Sequence, residues 1–143
     1  MDYTAKDELK TKNLGKTASD WLQTVNYSYN PQSWLTQINA ELPVMTGGGE
    51  ESFSLQTSSN SDLFYMQLNY DADNTTLNAT EQKNGNIAWA EWQVLGDAVK
   101  AYGYQYDFLN RLTAATYGNE EGGRLTASNA YNTSYAYDPR GNF

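Results

Sequence analysis

The chain has 143 residues and a formal net charge of −8. It contains no Cys and no His, which excludes disulfides, thiolate chemistry and the Ser-His-Asp and Cys-His mechanisms. The acidity opposes phosphate backbones, so no nucleic-acid partner is expected, and no apolar run approaches the ~20 residues of a membrane span.

The apolar share leans on 12 Tyr, 4 Trp and 4 Phe, and mean hydropathy is −0.74. Such a chain suits pleated, half-wet sheets better than a helix bundle. Residues 1–15 lack the apolar segment of a signal peptide, and residues 10–15 read as a return strand. Residues 17–25 offer a helix start at Ser19 or Asp20, but 21–29 read better as a strand. Residues 27–38 read YSYNPQSWLTQI. Their turn, Asn30-Pro31-Gln32-Ser33, has Asx first and Pro second, which favours type I. Closing it predicts Tyr29 opposite Trp34, Tyr27 opposite Thr36 and Val25 opposite Ile38. Gly47-Gly48-Gly49 has no Lys-Ser/Thr after it and reads as a flexible loop at 46–51.

Along residues 63–70, Phe64, Met66, Leu68 and Tyr70 alternate onto one face. A turn-rich stretch, 71–86, is expected as a second flexible loop, ending on the tight-turn dipeptide Asn84-Gly85. Ala88, Ala90, Trp92 and Val94 then alternate with Ile87, Trp89 and Glu91. Residues 104–115 read YQYDFLNRLTAA, predicting Tyr106 opposite Arg111 and Tyr104 opposite Thr113. That pairing would set the guanidinium on the Tyr106 ring, worth about 0.5–1 kcal/mol. A third loop is expected at 118–123. Tyr131, Thr133, Tyr135 and Tyr137 form a last stripe, and 135–143 read YAYDPRGNF. The fold class is therefore all-β, an antiparallel sheet of consecutive hairpins with little or no helix.

Three segments align: Tyr27, Tyr29, Asn30, Trp34; Tyr104, Tyr106, Asp107, Arg111, Leu112; and Tyr135, Tyr137, Asp138, Gly141. Each is Tyr-x-Tyr-Asp/Asn, a short turn and a new strand. This pattern resembles the RHS or YD-repeat proteins of bacteria, with a flavour similar to the long arrays of Bacteroidetes. Asn84-Gly85-Asn86-Ile87 looks like the second half of another copy, and residues 10–15 like the return strand of a degraded one. Asn110 and Ser33 stand where the family pattern has Gly. The resemblance implies a β-ribbon wound into a shell, which in some bacterial members encloses a C-terminal toxin. It carries over no catalytic residue and no cofactor. Residues 1–143 are then a single repeat segment of a longer array, secreted or on the cell surface, whose export signal lies elsewhere. Its partners are the flanking repeats of its own parent chain, with self-association through edge strands.

The carboxylate pairs Glu50-Glu51 and Glu120-Glu121 are adjacent along the chain, where side chains on a strand diverge, unlike a glycosidase pair facing across a cleft. Asp71-x-Asp73 starts like a calcium loop but has Thr76 and Gln82 where Gly and Glu belong. Asn26, Asn74, Asn78 and Asn132 open glycosylation sequons that read as chance in an Asn/Thr-rich chain. Two readings of the aromatic stripes stand. They fill the buried side of a sheet, or Trp89, Trp92, Tyr102 and Tyr104 stack on a carbohydrate from an open face.

Overall fold

In the computed structural model, residues 1–16, 18, 21–39, 62–138 and 140–141 are described. They form β1 (Asp2–Tyr3), β2 (Leu9–Lys16), β3 (Trp21–Tyr29), β4 (Leu35–Ile38), β5 (Phe64–Asn69), β6 (Trp89–Val94), β7 (Lys100–Tyr106), β8 (Leu112–Glu121) and β9 (Arg124–Ser134). The protein is all-β: the strands belong to one antiparallel sheet whose order is the chain order, with no helix among the described residues. Residues 21–29 take the strand alternative. Ser19 and Asp20, which the helical reading would use as caps, lie outside the described residues, as do residues 46–51.

Packing gathers the residues into two compact units, 1–67 with 93–97, and 68–92 with 98–143. In the first, β2 pairs β3 from Thr11↔Asn26 to Lys16↔Trp21, and β4 joins β5 through Gln37↔Gln67 and Ile38↔Met66. Tyr65 is buried, its hydroxyl donating to Gln67 Oε1 at 2.7 Å. Asn39 is buried too, with φ of 58°. Its side chain accepts from Asn26 N–H at 2.8 Å and donates to Phe64 C=O at 2.7 Å, so both ends of a buried amide are satisfied.

In the second unit, β6, β7 and β8 pair without interruption from Trp89↔Gly103 to Trp92↔Lys100 and from Lys100↔Asn119 to Gln105↔Ala114. The stretch 71–86 packs against them. Asn74 and Ala79 exchange two backbone hydrogen bonds of 2.9 Å, and Leu77 between them is fully buried. Burying that side chain contributes about 1.5–3 kcal/mol. Gly103 and Gly118 make the room: a Cβ on either would meet Leu77. The boundary expected at 118–123 shifts, because 118–121 continue β8 and the turn proper is Gly122-Gly123, at φ of 63° and 78°. Only two adjacent residues there need positive φ, and glycine supplies both without steric cost.

Candidate functional site

The feature that recurs through both units is a turn. At Asn30 the backbone N–H donates to Trp34 C=O at 3.0 Å, and Ser33 N–H donates to Asn30 C=O at 2.9 Å. Asp107 repeats this with Arg111 C=O (2.9 Å) and Asn110 N–H (2.9 Å). Thr4 does so with Glu8 C=O (2.8 Å) and Asp7 N–H (3.1 Å). In each, the first side chain accepts twice. Asn30 Oδ1 takes the N–H of Gln32 and Trp34, Asp107 Oδ1 those of Leu109 and Arg111, and Thr4 Oγ1 those of Lys6 and Glu8. The fourth residue is left-handed: Asp7 at φ 62°, Ser33 at 66°, Asn110 at 62°. Asp138 begins another, accepting from Arg140 N–H at 2.8 Å, with Gly141 at φ 87°.

This geometry corrects the expected register. A left-handed fourth residue makes a three-residue loop, so Asn30 closes on Trp34 and Asp107 on Arg111. Tyr29 therefore opposes Leu35, not Trp34, and Tyr106 opposes Leu112, not Arg111. A bulge then skips one residue of the return strand, bringing Tyr27 to Ile38 instead of Thr36 and Tyr104 to Ala115 instead of Thr113. Val25 lies opposite Lys12 of β2 and is not paired with Ile38. The bulge falls at the same place in all three turns: Tyr3↔Leu9 then Asp2↔Thr11, Tyr29↔Leu35 then Ser28↔Gln37, Tyr106↔Leu112 then Gln105↔Ala114.

The tyrosine before the Asn30, Asp107 and Asp138 turns reaches back to an earlier segment of the chain. Tyr29 Oη donates to Leu9 C=O at 3.1 Å, Tyr106 Oη to Ile87 C=O at 2.9 Å and Tyr137 Oη to Leu112 C=O at 2.7 Å. Leu9 and Leu112 hold the same place, directly after the closing residue of the preceding turn. Arg111 completes the link. Its Nε and Nη2 bind Asp107 Oδ2 at 2.7 and 2.6 Å, and its guanidinium lies 4.4 Å from the Tyr137 ring centroid, not on Tyr106 as expected. Burial would raise the Asp107 carboxyl; hydrogen bonds from Arg111 and Leu109, and the Arg111 charge, outweigh it and hold the pKa below its ordinary value.

The aromatic residues singled out for sugar stacking gather on β6–β8. Tyr102 lies between Trp92 (5.9 Å, 19°) and Tyr104 (6.2 Å, 24°), stacked on both, and meets Tyr117 edge-on at 5.3 Å. Tyr117 in turn meets Tyr131 edge-on at 5.1 Å. Tyr102 is thus flanked by a stacked ring on each side. Tyr102 Oη donates to Tyr131 C=O at 3.0 Å, and desolvation raises the pKa of both Tyr102 and Tyr104. Trp89 is on alternate strand positions from Trp92, so it projects to the other face, and its indole N–H donates to Ala72 C=O at 3.1 Å.

Among the described residues, the carboxylates singled out in the sequence do not face one another as a pair. Glu120 and Glu121 pair with Leu125 and Arg124 on successive positions of β8 and so point apart. Asp73 Oδ1 is taken by Glu81 N–H at 2.8 Å, and Glu81 binds Lys83 at 2.9 Å. Among the described residues no group of three or more acidic side chains could hold a metal ion. The sequence reading missed the Thr4 turn, where Thr replaces Asx, and missed Leu77, the one large apolar residue in a polar stretch. No known protein-family description, no curated protein and no solved structure matches this chain.

Proposed function

We propose that the chain is a non-catalytic structural segment of a larger secreted or surface repeat protein of the RHS/YD type, part of a wall or scaffold of the kind that encloses a C-terminal toxin. The observation that carries this reading is the turn: three copies share side-chain capping, a left-handed fourth residue and the same bulge. The preceding tyrosine ties Tyr29 and Tyr137 to the same place in an earlier copy. The side chains of Thr4, Asn30 and Asp107 are engaged in capping, and the hydroxyls of Tyr29, Tyr106 and Tyr137 in tethering. The natural partners are flanking repeats of the same parent chain, which would pair with the edge strands. Circular dichroism with size-exclusion chromatography tests the reading: a β-rich, association-prone protein is expected, and a helical, strictly monomeric one sinks it.

Carbohydrate stacking on Trp92, Tyr102 and Tyr104 receives less support, since Tyr102 already stacks on the other two rings. Titration with neutral oligosaccharides, followed by tryptophan fluorescence, separates the two readings. Saturable binding that Trp92→Ala abolishes would replace the wall with a binding module.

A further inference from the structure

Asn84 is the one asparagine of the chain that a glycine follows. The pair lies near the end of the 71–86 stretch, where Asn84 is exposed and Gly85 takes a φ of 97°. The Asn84 amide is held at both ends. Its Oδ1 accepts the Asn86 N–H at 3.0 Å, and its Nδ2 donates to Oδ1 of Asn110, the left-handed residue of the Asp107 turn, at 2.6 Å. The first of these bonds folds the side-chain carbonyl back along the following peptide, which brings Cγ toward the Gly85 nitrogen. Among the described residues the Gly85 N–H makes no hydrogen bond. Glycine also leaves that nitrogen uncrowded, since no Cβ stands beside it. Asn30 makes the same bond to the Gln32 N–H, but Pro31 follows it and has no N–H to lose.

We propose that Asn84 is a site of spontaneous covalent modification, converted in the folded protein to isoaspartate and aspartate through a cyclic imide. Solvent hydroxide takes the Gly85 amide proton, and the nitrogen attacks Cγ of Asn84. The N–Cγ bond forms, the Cγ–Nδ2 bond breaks, and Nδ2 leaves as ammonia after taking a proton from water. The oxygen that turns negative in between is Oδ1, which already accepts the Asn86 N–H, so a donor is in place where charge develops. Holding nucleophile and carbonyl in one turn also removes much of the entropic cost of bringing them together. Water then opens the imide. Addition at Cγ breaks the Cγ–N bond and leaves aspartate in a normal main chain. Addition at the Asn84 main-chain carbonyl carbon breaks that C–N bond and leaves isoaspartate, with the chain routed through the side chain. Either product replaces a neutral amide with a carboxylate and loses the Nδ2 donor that Asn110 accepts. The site does not rest on the structural role proposed above.

The test is incubation of the full chain at neutral pH, both native and unfolded in urea, followed by peptide mapping that separates isoaspartyl from aspartyl forms. The native chain is expected to convert at Asn84 ahead of every other asparagine and to give both products. It should do so at least as fast as the unfolded chain, in which the Asn86 N–H no longer holds Oδ1. Asn84→Gln should abolish conversion at this position, because the ring that a longer side chain must close forms far less readily. Gly85→Ala should slow conversion several-fold by crowding the nitrogen. Since a φ of 97° strains alanine, circular dichroism checks the strand content of that variant, and its rate in urea reads the crowding apart from the fold. Conversion several-fold slower in the native than in the unfolded chain, another asparagine converting first, aspartate without isoaspartate, or an unaffected Gly85→Ala variant would each overturn the proposal.

Discussion

Alanine at Gly103 provides the sharpest test of how stretch 71–86 is held. Gly103 does not have positive φ, so nothing in its backbone demands glycine. A freely accommodated Gly→Ala change would stabilise by about 0.4–1 kcal/mol through the unfolded chain. Space decides otherwise: the new Cβ would press on the Leu77 carbonyl oxygen and come within 2.6 Å of its Cβ. Both are parts of the chain itself, not the end of a mobile side chain. Relief requires either strain, at about 1–3 kcal/mol for overpacking, or withdrawal of Leu77, at about 1.5–3 kcal/mol of lost burial. The smaller entropic gain offsets part of this, leaving a net loss near 1–2 kcal/mol. Urea unfolding followed by tryptophan fluorescence measures it. Limited proteolysis between residues 71 and 86 should accelerate in parallel. At Gly118 the Cβ would meet the Leu77 Cδ2 tip at 2.6 Å and Thr126 C=O at 3.0 Å, so Gly118→Ala should cost less. A neutral or stabilised Gly103→Ala protein, with unchanged proteolysis, would refute the packing of Leu77 over β7.

Tyr106→Phe and Tyr137→Phe each remove a hydroxyl that donates to an earlier segment, and should each cost about 0.5–1.5 kcal/mol in urea unfolding. The depressed Asp107 pKa sets an acid dependence. The stability it contributes is full above the ordinary carboxylate range and is lost as pH falls through the lower folded value. Asp107→Asn should therefore lower the thermal midpoint at neutral pH and narrow its difference from wild type in acid. Tyr70, Tyr102, Tyr104 and Tyr106 are all shifted upward, with desolvation the largest cause. Their contribution is full below the ordinary phenol value of about 10 and is lost as pH rises through their folded values. Absorbance titration should show these tyrosinates appearing late, together with loss of the strand signal in circular dichroism.

Fold class and strand positions were legible because alternation and turn chemistry are local properties. Phe64 to Tyr70 and Ala88 to Val94 alternate visibly, and Asn30-Pro31 announces its turn. Register was not legible. It depends on whether the fourth turn residue goes left-handed, and Ser33 and Asn110 carry no sign as plain as the glycine at Gly141. A shift of one residue at closure and another at the bulge then moved every expected pair. Arg111 was assigned to Tyr106, the ring expected opposite it across the turn, but its ring partner, Tyr137, lies on a later segment that hairpin reasoning does not reach. Leu77 was hidden for the opposite reason. It is a single apolar residue among Asn, Thr and Asp, without periodicity, and only the glycines opposite it, Gly103 and Gly118, could have hinted at a buried contact.

The tyrosine before each turn explains why the pattern needs both an Asx and an aromatic hydroxyl. The Asx or Thr satisfies donors within its own turn, and those bonds can form as soon as the hairpin closes. The hydroxyl makes a bond that leaves the hairpin, and in Tyr29 and Tyr137 it goes to the carbonyl just after the preceding turn. A short side chain could not span that gap, and an aliphatic one could not donate. The Asn30 and Asp138 turns are thus capped within themselves and tied to the turn before, the kind of coupling that a nearest-neighbour array uses. In such an array, stability is transmitted stepwise, and losing one hydroxyl weakens one junction without unmaking the turn beside it. Tyr106 makes the same kind of bond to Ile87, which follows the longer 71–86 stretch. The hydroxyl tie therefore does not require a three-residue turn as its predecessor.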